Sequence, residues 1–130
     1  MGRDRPVPSF DGEEIAWLQM LVVLTTCPAV EAAEALAEQI VEARLAACVQ
    51  VLPRMTSVYV WEGEVQRESE YLLLIKTLRE KWDELRDFIA NHHSYDVPEI
   101  VAVDAERVSE PYQSWLNDVL TQQQGTDTSS

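Results

Sequence analysis

Residues 57–76 read SVYVWEGEVQRESEYLLLIK. Two runs rich in Val, Tyr, Trp, Leu and Ile flank Glu62-Gly63-Glu64, and β-branched and aromatic residues suit a pleated surface. Gly63 supplies a positive φ at no steric cost, so the stretch predicts a β-hairpin. Upstream, Cys48-Val49-Gln50-Val51-Leu52 continues the β pattern, with a break at Pro53. The arms therefore cover 47–61 and 65–76, about twice the usual strand length of ~5–6 residues. At ~3.3 Å per residue, an arm of that length reaches on the order of 40–50 Å, past the edge of a domain this small. A bare ribbon of this kind invites edge pairing. Another copy of the chain is the simplest cover, which predicts an obligate homo-oligomer.

The flanks of the hairpin supply the remaining elements. Trp17 to Thr25 is a nearly continuous apolar run, as in a central strand. Pro28 fits the first turn of a helix that carries Ala33, Leu36, Ala37, Ile40 and Val41 on one stripe. Thr77 and Glu80 have the spacing of a capping box for a second helix with Leu78, Trp82, Leu85, Phe88 and Ile89 on one face. That helix should stop near Asn91 to His93, ahead of Pro98. Glu99 to Val108 reads as a last strand, and Ser109-Glu110-Pro111 opens a short helix. The order β-α-β-β-α-β plus a C-terminal helix predicts an α+β, ferredoxin-like sandwich: one antiparallel sheet with helices on one face.

One domain over residues 15–120 suits a chain of 130 residues. Residues 1–14 and 121–130 are polar or Pro-rich without periodicity and are expected to be flexible tails. The net charge of −13 argues against a nucleic-acid partner, which requires clustered Lys and Arg. Two cysteines do not make a disulfide framework, and no apolar run would span a bilayer or form a signal peptide. The expected location is cytoplasmic, with no membrane partner.

The chemistry-bearing residues are few. His92 and His93 are the only histidines. Neighbours on a helix point about 100° apart, so both could reach one metal ion only where the helix has frayed or where two chains pool ligands. Imidazolium at a helix C-terminus is also favourable in itself, which accounts for His93 in particular, and leaves His92 as the one expected to face a cleft with Tyr95. Cys27 lies at a helix entrance, where thiolate is stabilised, whereas Cys48 in an apolar strand reads as a small hydrophobe. Glu70 and Lys76 are six apart and project to one face of a regular strand. Trp61, beside the hairpin tip, is a candidate intersubunit contact. No nucleophile–base pair or phosphate-binding glycine loop is readable, so an enzyme is not expected.

Together, ARLAACVQVLP (43–53), TSVYVWEGEV (56–65), ESEYLLLIKT (68–77) and HHSYDVPEI (92–100) resemble the CutA divalent-cation tolerance family, over about residues 20 to 120. Ala46-Ala47-Cys48, Trp61, Gly63, Glu70, Lys76, His92, Tyr95, Pro98 and Glu99 stand at matching positions. Ser94, Arg54 and Thr25 depart from the family pattern, the last where some bacterial members carry a copper-associated cysteine. The resemblance implies a homotrimer similar to PII-type signalling proteins, with hairpins wrapping between subunits. It implies no required cofactor, and copper(II) or another divalent cation as ligand, with His92 at the family position; His93 and Cys27, the thiol nearest to Thr25, are the other candidate metal ligands read from the residues. It also implies a cleft between subunits lined by Glu70, Lys76, Tyr95 and Trp61. Two other readings stand beside it: a structural scaffold or adaptor for an unknown protein partner, and an enzyme or metabolite-binding protein using that cleft.

Overall fold

The computed structural model describes residues 18–121. Strand β1 spans Met20–Cys27, helix α1 Val30–Glu42, β2 Cys48–Val51, β3 Met55–Trp61 and β4 Glu64–Leu78. A 3₁₀ turn at Arg79–Lys81 leads into α2, Trp82–His92, followed by β5, Val101–Asp104, and α3, Glu110–Thr121. The expected order holds. The two expected tails lie outside the described residues, apart from Thr121, as does Trp17. No described helix is long and apolar enough to cross a membrane.

The sheet runs β2–β4–β1–β5, all antiparallel, and β3 continues β2 along the same edge of β4. This is the order that two right-handed crossovers joined by a hairpin must give. Trp61 pairs with Glu64, so Glu62 and Gly63 alone form the loop, with φ values of 52° and 83°. Two successive positive φ values match the twist of the arms, and glycine adopts its share freely. Between the pairs Val51–Leu73 and Met55–Glu70 the first arm advances four residues and β4 only three. The extra residue is a β-bulge at Pro53-Arg54, where proline could not have donated to the ladder anyway.

Alternation along the strands sorts the core. Leu21, Val23, Leu73 and Ile75 face α1 and α2 and meet Leu36, Ile40, Leu85 and Ile89, all buried. Met20 and Leu78 face the other way, onto Leu116 and Leu120 of α3. The two crossover helices thus share one face as expected, while the terminal helix covers one end of the opposite face. The rest of that face is apolar and open, with Val101 and Val103 about half exposed.

Three local expectations are corrected. Thr77 caps no helix: β4 continues to Leu78, and the Thr77 hydroxyl donates to the Leu45 carbonyl at 2.7 Å inside the core. Pro28 precedes α1 rather than sitting in its first turn. The last strand is four residues long instead of spanning Glu99 to Val108, because β1, its only partner among the described residues, starts at Met20 and because the rung at Thr26 is taken by another group, described below. One helix end had no signal in the sequence. After α1, Arg44 adopts φ 59°, and Leu45 N–H donates to the Ile40 carbonyl while Arg44 N–H donates to that of Val41. This is a Schellman stop without its usual glycine, clamped by the buried Leu45–Ile40 contact.

Candidate functional site

A concavity lies between the hairpin and the 93–100 loop. It encloses about 570 Å³ and is walled by Thr26, Ser57, Tyr59, Trp61, Glu70 and Tyr95, with Asp96 and Glu99 on the loop side. Each wall has a local cause. The bulge sets the register that places Ser57, Tyr59 and Trp61 on the Glu70 face of the ribbon. Thr26 comes from the end of β1, and Tyr95 from the loop that Pro98 prevents from being helical.

Glu70 is the hub. It is 8% exposed, and three hydroxyls donate to its carboxylate: Ser57 to Oε1 at 2.7 Å, and Tyr95 and Thr26 to Oε2 at 2.8 and 3.3 Å. Among the described residues no Lys, Arg or His forms an ion pair with it. A buried carboxylate without a cation is tolerated only when its lone pairs are hydrogen-bonded, which these donors achieve. The arrangement keeps the Tyr95 phenol protonated. Burial, then the hydrogen bond and negative charge of Glu70, raise its pKa well above the ordinary tyrosine range. Tyr59 is pushed the same way by desolvation and by Glu68 and Glu70.

The sign of the Tyr95 shift gives a prediction. The folded state holds this proton more tightly than the unfolded chain, so its contribution to stability is complete below about pH 10. It is then lost as pH rises through the folded-state value. An alkaline absorbance titration should show one of the four tyrosines ionising above the rest, and Tyr95→Phe should remove that step. A profile unchanged by the substitution would refute the assignment.

His93 is a strut. Tyr95 N–H donates to its Nδ1 at 3.1 Å, so Nδ1 carries no proton and Nε2–H donates to the Thr26 carbonyl at 2.5 Å. Since Ala105 N–H bonds the Met20 carbonyl, alternation along β1 makes Thr26 the next acceptor beyond Leu24. The imidazole occupies that rung, ends the β1–β5 ladder and fixes the start of the 93–100 loop. His92 stacks on Phe88 with centroids 3.9 Å apart and bonds the Phe88 carbonyl through Nδ1. The residue is exposed, and its Nε2 has no hydrogen-bond partner among the described residues. Cys27 is 3% exposed within the main core, and burial, then Glu70, push its thiol pKa up, the wrong direction for a thiolate ligand.

The expected residues thus divide. Glu70, Tyr95 and Trp61 converge on the cleft. Lys76 does share a face with Glu70, as alternation requires, but lies about 20 Å further along β4, with Nζ 5.8 Å above the Tyr112 ring of α3. His92, His93 and Cys27 are not brought together within one chain. Among the described residues no three His, Cys, Asp or Glu stand close enough to hold an ion. The donor set of a single chain therefore does not fit a Cys-His-His copper centre. Ser57, Tyr59 and Thr26 were not singled out by sequence. The Ser57-Val58-Tyr59-Val60-Trp61 alternation puts the first, third and fifth residues on one face, but only the bulge says which face.

Comparison with known proteins identifies the family and the fold. The model of the family described as CutA1 divalent ion tolerance protein matches residues 21–119. A Thermus thermophilus divalent-cation tolerance protein CutA is 43% identical over 75% of this chain and 94% of its own. The human protein CutA is 40% identical over 72% of this chain, and the match spans only about half (52%) of the human protein. The solved structure of a periplasmic divalent cation tolerance protein CutA from Archaeoglobus fulgidus superposes with TM-score 0.75 at 33% identity, covering 78% of this chain and 98% of that one.

Proposed function

The chain belongs to the CutA1 divalent ion tolerance family, and we propose that it is a homotrimeric, non-enzymatic protein of divalent-cation tolerance acting by binding and PII-like signalling. The observation that carries this is the family match over residues 21–119, to relatives named for tolerance and not for a reaction. Its expected compartment is the cytoplasm, although the Archaeoglobus relative is described as periplasmic.

Two apolar surfaces support assembly. Val58, Val60 and Val65 on the ribbon are 58–71% exposed in the single chain. Val101 and Val103 extend the sheet face that α3 leaves open. Patches of this kind suit a second copy of the chain. Copper(II) is the ion we assign, because imidazole suits it and it heads the divalent affinity series. His92 Nε2 is the donor, and further ligands come from an adjoining copy.

Light scattering at micromolar concentration should give three times the 14.8 kDa chain mass; a monomer mass overturns the assembly. Calorimetry with copper(II) should show a site that His92→Ala abolishes and Cys27→Ala retains. Weak binding unchanged by His92→Ala sinks the copper assignment while leaving the assembly untouched.

A further inference from the structure

We propose that the cleft between the hairpin and the 93–100 loop binds a small organic cation bearing N–H donors, an alkylammonium or guanidinium group, at a site separate from any metal. Negative charge alone would mark only a solvated face. Here it is joined by a walled volume and by a buried carboxylate with an acceptor position left over. A carboxylate offers about four lone-pair positions. Thr26, Ser57 and Tyr95 use three, with Oε2 taking two donors and Oε1 one. The remaining position, on Oε1, suits one further donor, and the lining protein groups supply none.

The walls select the donor's chemistry. Tyr59, Trp61 and Tyr95 present aromatic rings, two of them about half exposed, and cations are attracted to such faces, tryptophan best. Asp96 and Glu99 add exposed carboxylates at the rim, and none of the lining residues is Lys, Arg or His. An anion would meet three carboxylates without a counter-charge. A hard divalent ion needs six or more oxygens at short range. No cluster of three ligating side chains exists among the described residues. Organic ammonium is the class left that uses both the rings and the acids. A volume of about 570 Å³ falls within the range of small-molecule sites. The net charge of −13 draws cations toward the molecule as a whole.

The test is calorimetry on the full chain in its native assembly, with putrescine and agmatine as probes and n-butanol and succinate as controls. One of the two amines should bind with Kd below about 1 mM, and neither control should bind. Trp61→Ala should weaken binding about fivefold to tenfold, from the lost ring face. The double variant Asp96→Asn, Glu99→Gln changes two exposed side chains and should weaken it at least about tenfold. Circular dichroism and light scattering confirm that each variant keeps its fold and mass; if Trp61→Ala does not, the double variant decides. Absence of binding by both amines at 10 mM, which is about ten times the limit above, overturns the proposal. So does amine affinity undiminished in the double variant, succinate bound in place of the amines, or copper(II) displacing the amine stoichiometrically.

Discussion

Replacing Glu70 by alanine is expected to lower the unfolding free energy by about 2–4 kcal/mol, read from urea unfolding at one fixed protein concentration. The carboxylate is the common acceptor for hydroxyls from three separate parts of the chain: Thr26 on β1, Ser57 on β3 and Tyr95 in the loop after α2. Hydrogen bonds to a charged acceptor contribute about 1.5–3 kcal/mol, and donors left behind in a buried site lose their partner as well. The Thr26 hydroxyl is in the least favourable position, since its residue is 4% exposed and water cannot readily replace the carboxylate. Glu70→Gln keeps the shape and one acceptor oxygen but points an NH₂ at hydroxyls that now donate, so an intermediate loss of about 1–2 kcal/mol is expected. Amide exchange over residues 93–100 should rise most in Glu70→Ala, where the Tyr95 phenol has lost its acceptor. A loss under about 0.5 kcal/mol in Glu70→Ala, the size of an ordinary surface change, would show that the hub contributes little.

Ile75→Ala is expected to cost about 3–5 kcal/mol by the same measurement. Ile75 is fully buried on the central strand, between Val23 on β1 and Val49 on β2, beneath α1 and α2. Truncation removes transfer free energy and leaves a cavity that paired strands on both sides cannot close. Glu34→Ala, exposed on α1, should change stability by no more than about 0.5 kcal/mol. Equal effects from the two would mean that this core is loosely packed.

The element order was readable because the evidence for it is local. Val, Tyr and Trp around Glu62-Gly63 specify a hairpin whatever surrounds them, and the Leu85, Phe88, Ile89 spacing specifies a helix face. The errors occurred where a non-local partner outcompeted a local signal. Thr77 has the spacing of a cap but is kept in β4 by pairing with Leu21 and by the Leu45 carbonyl. Glu99 and Ile100 have strand composition but lose their rung to His93. Arg44 ends a helix where glycine would have announced it.

The site divides along the same line. Sequence alone determined that Glu70 and Lys76 share a face, that a helix stops near Asn91 to His93, and that Trp61 lies by the hairpin tip. Side-chain alternation and helical pitch follow from backbone geometry and need no neighbours. Only the tertiary structure decided which residues meet Glu70. One extra residue at Pro53-Arg54 shifts the ribbon register, and a shift of one residue exchanges the two faces of a strand. With it, Ser57, Tyr59 and Trp61 face Glu70 in place of Thr56, Val58 and Val60. The proline was visible in the sequence, but the number of residues it would add to the ladder is set by pairing with β4.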